Sequence, residues 1–309
     1  MIYPIPPGQS GLKKNSGIRY HTFIEIYNFR PDKAGATFLK GITLLEKFKN
    51  RLKQPVSLVP HAPYTVSVDL FSQIKKYSEK TNSPVTIHNQ ECESENSLFS
   101  IHSGSMAEML KFYGFDFSYF PPTGGIEGGI PHYGKSSLQS TFTHYACNRV
   151  QLVHNTFTSG DDIRYMKRTL KHLPVRQAGM KRKRKRKTGI KPELFLCLCP
   201  KANLFIENRL PDIPLLASSG FPVTIGTDSL ASNNTLSVLE ELKVISKYFP
   251  RFELNRLLSW ATINGARFLG FDSLLGTIEP GKQPGINLLK NVDFKNFRLS
   301  EKSSVEKIV

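Results

Sequence analysis

Apolar positions along the chain come in short blocks with little alternation, and each block ends on polar residues. HTFIEIYNF (21–29), VSLVPHAPYT (56–65), PVTIHNQE (84–91), VQLVHNTF (150–157), LFLCLCPKANLFI (194–206) and FPVTIGTDSLASN (221–233) are rich in Val, Ile and Leu. Such runs mark strands buried on both faces of a parallel sheet. Between them, KAGATFLKGITLLEKFKNRL (33–52), VDLFSQIKKYSEKT (68–81), SGSMAEMLKFYG (103–114), GDDIRYMKRTLKHL (160–173) and TLSVLEELKVISKYF (235–249) have helical composition. Alternating strands and helices predict repeated strand–helix units.

The strand ends fall near residues 28, 61, 88, 154, 200 and 228. The shorter spacings match the roughly 31 residues per unit of a (β/α)8 barrel. The two longer gaps hold inserts near 123–134, a glycine-rich loop, and near 176–190, a basic stretch. The fold class predicted is therefore α/β, a (β/α)8 TIM barrel. A doubly wound sheet ranks second, because the glycine-rich phosphate fingerprint that it would carry is missing.

In a barrel the site forms at the C-terminal ends of the strands, and His61, His88, Glu91, His154 and Asp228 all fall there. Several histidines and a carboxylate at one rim suggest a divalent metal, zinc first and iron second. Zinc accepts nitrogen and oxygen ligands and lowers the pKa of a bound water to about 7. An aspartate beside that water can take its proton, and a glutamate can protonate a leaving nitrogen. Taken singly, each histidine reads as a hydrogen-bonded structural residue, Asp228 as a helix N-cap and Glu25 as a structural partner. Five polar groups at matching positions favour the functional reading. Cys197 and Cys199 lie on one face of a strand and read as inert buried thiols.

Composition narrows the classes. The 309 residues include 42 Lys and Arg against 25 Asp and Glu, a formal charge of +17. Seven of the positive charges form one block, KRKRKRK (181–187). Such a run repels itself and reads as a solvated insert. No aromatic residue interleaves it, which disfavours single-stranded nucleic acid as a partner. No run of 18 or more apolar residues is present, so no membrane-spanning segment is predicted. The N-terminus lacks an apolar signal core, and the four scattered cysteines do not make a disulfide framework. A cytoplasmic location is the expectation.

The segments PHAPYT, HNQE, LVHNTF, CPKANLFIENRLPDI, GTDSLASN and WATINGARFLG with LGTIEPGKQPGINLL closely resemble the amidohydrolase superfamily. The nearest branch holds cytosine and guanine deaminases, S-adenosylhomocysteine deaminase and chlorohydrolases. The resemblance runs from about residue 16 to the C-terminus. It implies that His88 is the fifth-strand metal ligand and that Asp228 is the eighth-strand aspartate, ligating the metal and accepting the water's proton. It implies that His154 orients the water or oxyanion, that Glu91 shuttles a proton to the substrate nitrogen, and that His61 contacts a small-molecule substrate. Lys201 stands where the family's C-P-N-A-N segment carries its middle asparagine, which changes an amide contact into a charge.

The family's first strand carries an H-x-H pair of metal ligands, and no H-x-H occurs in this chain. The resemblance thus implies an N-terminally truncated member. In that reading residues 1–20 are an irregular segment and 21–272 are a barrel lacking its first two strands. Residues 273–309 are an extension, the remnant of a small composite β-sandwich. The function implied is hydrolysis of non-peptide C–N bonds, foremost deamination of an amino-substituted heterocycle, impaired here by the missing pair. The alternative is a non-catalytic remnant acting as a binding or assembly partner, with homodimerisation one way to cover exposed strand edges.

Overall fold

The computed structural model describes residues 18–115, 126–127, 130–131, 135–173 and 192–308. The first 17 residues, the basic run and nearly all of the two expected inserts lie outside the described residues. The chain divides into two compact units: residues 1–152 with 157–194, and residues 153–156 with 195–309.

In the first unit, β1 (Thr22–Ile26), α1 (Ala34–Leu52), β2 (Val56–Pro60), α2 (Val68–Thr81) and β3 (Val85–Asn89) follow one another as two strand–helix–strand crossovers. β1 and β2 are parallel, with Glu25 level with Val59 and Ile26 level with Pro60. Chain order then gives α3 (Glu93–Ile101), α4 (Ser105–Phe112), the two-residue antiparallel pair β4 (Ile126–Glu127) and β5 (Ile130–Pro131), α5 (Ser137–Tyr145), β6 (Arg149–His154) and α6 (Gly160–His172). Within this unit β6 stands beside β3.

The helices form where the sequence caps them. The Ser67 hydroxyl accepts the Leu70 amide at the start of α2, and Ser159 with Asp162 makes a reciprocal capping box on α6. α1 buries Ala34, Thr37, Gly41, Leu45, Phe48 and Leu52, the three-and-four spacing of a helix lying on a sheet. It lies on β1 and β2, whose Ile24, Ile26, Leu58 and Val59 are almost fully enclosed.

In the second unit β7 (Glu193–Leu198) and β8 (Val223–Ile225) are parallel, with Cys197 level with Thr224. Around them lie α7 (Pro200–Glu207), α8 (Ile213–Ser218), α9 (Val238–Tyr248), α10 (Leu254–Ala261) and α11 (Ile263–Leu269). The chain ends in an antiparallel hairpin of β9 (Asn287–Lys290) and β10 (Ser304–Lys307), with Leu288 and Val305 about half exposed.

The six predicted strands form where the apolar blocks predicted them. α3, α5, α7, α8, α10 and α11 were not expected. The acidic start of α3, ECESEN, resembles a loop, yet Glu95 and Leu98 face inward. LFLCLCPKANLFI is not one strand: Pro200 occupies the first turn of α7, where its missing N–H costs nothing, and it ends the strand. Asp228 is not a helix N-cap; α9 begins ten residues later and is capped by Ser237.

Gly41 shows how tightly α1 is seated, since a Cβ there would lie 2.8 Å from Leu58 Cδ1 and 3.0 Å from Ile26 Cγ2. Alanine gains helix propensity of about 0.5–1 kcal/mol, but overpacking a closed core costs about 1–3 kcal/mol. Gly41→Ala is therefore expected to lower the unfolding free energy. Gly35→Ala, on the same helix with nothing within 4 Å, should raise it. Urea denaturation of both variants checks the opposite signs.

Candidate metal and proton-transfer site

In the first unit the ends of three neighbouring strands bring Glu25, His61 and His88 together. β2 continues past β1, with the His61 amide donating to the Ile26 carbonyl at 3.3 Å. The His61 carbonyl accepts twice from His88, from its backbone N–H at 3.0 Å and from ring Nδ1 at 2.8 Å. His88 Nδ1 is therefore a donor nitrogen. The two imidazole centroids are 4.9 Å apart, and Glu25 Oε2 is 3.8 Å from His88 Nδ1.

His61 Nδ1 lies 2.9 Å from the Thr65 hydroxyl, whose own proton goes to the Ala62 carbonyl at 3.2 Å. Nδ1 of His61 is thus the donor there, and its Nε2 is left as a lone pair. Burial, and secondarily the charge of His88 nearby, lower the pKa of His61 to about 4, so its ring is neutral at physiological pH. The rings of Tyr27 and Tyr64 flank it at 5.7 and 6.2 Å.

Glu91 follows His88 by three residues and is half-buried. Its position is set by the residue before it. Gln90 has a left-handed backbone, φ 46°, which a non-glycine residue adopts at a cost of about 1–2 kcal/mol. The Gln90 amide group is fully enclosed, donating to Asn96 and Asp162 and accepting from Thr158. Beneath the turn, the buried Glu95 carboxylate accepts the backbone N–H of Gln90 at 3.0 Å and of Glu91 at 3.2 Å. Ser137 adds a third donor to the same carboxylate. Burial pushes Glu95 up to about 7, opposed by those three hydrogen bonds.

In the second unit His154 ends β6 with φ 72°, and Asn155 follows with φ 58°. Asn203, on α7, points its amide nitrogen at His154 Nδ1 (3.4 Å) and donates to Thr156 at 2.6 Å. Nδ1 is then the acceptor, and the ring proton sits on Nε2. Asp228 follows β8 with φ 56° and is hydrogen-bonded by the Ser232 hydroxyl. A second buried carboxylate braces this turn. Glu241 accepts the Lys201 backbone N–H at 2.8 Å and the Asn233 amide at 2.7 Å, and Asn233 also donates to the Thr227 carbonyl at 2.8 Å. Lys201 thus contributes its backbone here. Cys197 and Cys199 are both buried, with their sulfurs 3.0 and 3.1 Å from where a Cβ on Gly226 would stand.

Sequence reasoning set His61, His88, Glu91, His154 and Asp228 together at the strand ends of one barrel; the structure places His61, His88 and Glu91 in the first unit and His154 and Asp228 in the second, each at or just past the end of its strand. Sequence reasoning read Glu25 as structural and passed over Glu95 and Glu241. The signal for Glu241 was present: it lies four residues before Ile245 on the stripe of α9 that faces inward.

Comparison with known proteins supplies a frame for this geometry. Residues 17–308 match the model of the amidohydrolase family. A 5-methylthioadenosine/S-adenosylhomocysteine deaminase of Teredinibacter turnerae is 26% identical over 262 residues, covering 80% of this chain and 46% of that protein. An aminodeoxyfutalosine deaminase of Deinococcus radiodurans is 28% identical, covering 80% and 54%. The crystal structure of Helicobacter pylori aminofutalosine deaminase superposes with a TM-score of 0.66 at 21% identity, covering 89% and 61%. An adenosine deaminase of Xanthomonas campestris with bound zinc gives 0.62 at 21% identity, covering 92% and 55%. The chain spans about half the length of the deaminases whose sequences it matches.

Glu95 makes a pH-dependent contribution with a definite sign. Its folded pKa of about 7 lies above the ordinary 4.5, so the folded state holds the extra proton between those values. That stabilisation is complete below pH 4.5 and is lost as pH rises through 7. Measured against Glu95→Gln, which cannot titrate, the wild-type protein should lose on the order of 3 kcal/mol between pH 4.5 and 8. Denaturation curves across that range would show the difference.

Proposed function

The chain belongs to the amidohydrolase family, and from that premise we propose that it is a metal-dependent hydrolase that deaminates an adenosine-like nucleoside. The strands β1, β2, β3, β6, β7 and β8 are read as strands three to eight of the family's (β/α)8 barrel. Names of the relatives support the substrate class: deaminases of methylthioadenosine, S-adenosylhomocysteine and aminodeoxyfutalosine recur among them. The observation that carries the reading is local. At the ends of its strands this chain keeps a histidine pair with anchored Nδ1 atoms, an H-x-x-E turn held rigid from beneath, and a strand-end aspartate in a left-handed backbone.

Two imidazoles and several carboxylates are a donor set suited to a divalent ion. In this proposal the family resemblance assigns His88 and Asp228 as the residues that would bind that ion, which when bound would supply an acidified water. Asp228 would accept a proton from the attacking water as the water's oxygen bonds to the amino-bearing ring carbon. His154, with its proton on Nε2, donates toward the developing negative charge. Glu91 delivers a proton to the substrate nitrogen, the C–N bond breaks, and ammonia leaves with the 6-oxo product. Zinc is the ion favoured by the comparison with the zinc-bound Xanthomonas campestris structure. Substrate, on this reading, is a small molecule.

The second reading is a non-catalytic member that keeps the ion or ligand site as a binding surface. Ammonia release separates the two. Zinc-loaded protein incubated with 5′-deoxyadenosine, 5′-methylthioadenosine and adenosine is expected to convert at least one of them with stoichiometric ammonia. Glu91→Gln should cut the rate by about 10²–10⁴-fold with less effect on KM. No ammonia from any of the three would favour the binding reading.

A further inference from the structure

We propose that Cys197 and Cys199, in the second unit, bind a soft, thiophilic metal ion of the copper(I) class between β7 and the turn after β8. The site is separate from the ion of the functional proposal and does not rest on that reading. It takes both thiols out of the inert class to which sequence reasoning assigned them.

Position comes first. Cys197 is the last residue but one of β7, and Cys199 stands just past its end, at the N-cap position of α7. Side chains two apart on a strand point to one face, and here both sulfurs turn toward the end of β8. Gly226 stands there, its backbone N–H donating to the Leu198 carbonyl at 2.9 Å. A Cβ on Gly226 would lie 3.0 Å from the Cys197 sulfur and 3.1 Å from that of Cys199. The glycine thus leaves open the space that the two sulfurs share.

The sulfurs also face each other. The Cys199 thiol hydrogen-bonds Cys197, and this bond is the main reason that Cys197 ionises more readily than an ordinary thiol. The same bond, and burial after it, hold the proton on Cys199. Thr224, level with Cys197 on β8, adds a hydrogen bond to the Cys197 sulfur. The carboxylates of Glu241 and Asp228 oppose ionisation of both thiols, a field that favours a bound cation over bare thiolates.

Donor type then selects the ion. Thiolates are soft ligands and select copper(I) over the hard cations that carboxylates and waters hold. Among the described residues, no histidine, aspartate or glutamate joins the two sulfurs as a third ligand within 4.8 Å. Zinc calls for four ligands, whereas copper(I) is satisfied by two sulfurs in line. Cys197 and Cys199 are only 6% and 1% exposed and pack against Ala202 and Val153. Burying a charge is costly unless it is paired, and two thiolates around one cation supply the pairing. Gly226 is only half-buried, which leaves a way in. On binding, each S–H bond breaks as an S–Cu bond forms, two protons leave to solvent, and no electron is transferred.

The full-length protein, reduced and freed of metal under nitrogen, is titrated with copper(I) against a chromogenic copper(I) chelator. One copper(I) per chain is expected, with two sulfurs and no nitrogen around it by X-ray absorption, and not displaced by equimolar Zn2+. Cys197→Ser and Cys199→Ser should each weaken binding at least tenfold, whereas Cys92→Ser should leave it unchanged. Gly226→Ala keeps both thiols but puts a methyl group between them, and should weaken binding about tenfold through overpacking. Metal-free melting curves report which variants fold; where neither serine variant does, the absorption spectrum of the wild-type protein decides. Nitrogen ligands at the copper, displacement by Zn2+, or no bound copper(I) would overturn the site. So would wild-type affinity in a folded Cys197→Ser or Cys199→Ser variant, or loss of the ion from Cys92→Ser.

Discussion

One carbonyl organises the first half of the site. The His61 oxygen accepts both N–H groups that His88 can offer, from backbone and from ring, at 3.0 and 2.8 Å. The backbone bond fixes how far β3 extends past β2, and the ring bond fixes the plane of His88. Together they decide which nitrogen faces outward. The parallel register of β1 and β2 then places Glu25 one residue before the end of its strand. α1, seated on both strands through Gly41, leaves little latitude for that register to shift.

The same economy of means appears in the turns beyond the strands. Gln90, His154, Asn155 and Asp228 all have left-handed backbones, a conformation that persists in non-glycine residues only where the surroundings over-determine it. The surroundings are carboxylates with no solvent exposure. Glu95 gathers the amides of Gln90 and Glu91, and Glu241 gathers the Lys201 amide and the Asn233 side chain that holds Thr227. Burying an acid is costly unless it is hydrogen-bonded, and here each one is bonded chiefly to the segment it restrains. Strain of this kind, concentrated beside titratable groups, belongs to sites that must hold a proton donor or acceptor in one orientation.

Family membership explains the general plan and leaves the particulars to this chain. The chain matches its relatives in sequence over about half their length. What distinguishes this sequence is the donor set at the strand ends. Glu25, His61 and His88 stand together in one compact unit.

The sequence by itself determined the strand–helix alternation and the residues at the strand ends. Both are local: buried strands need unbroken apolar runs, and the polar group that stops each run is visible in the same few letters. Thus His61, His88, His154 and Asp228 were legible as candidates, and so was Glu91 through its spacing from His88. Only the tertiary structure decided that Glu25 joins His61 and His88, because that depends on the offset between strands distant in sequence. It alone decided that Glu95 and Glu241 point inward. In a helix's first turn an acidic residue is ordinarily a solvated partner of the free amides, and nothing local distinguishes it from one turned toward a buried strand-end loop. That distinction exists only after the backbone amides of Gln90, Glu91 and Lys201 have been brought to the carboxylates they bind.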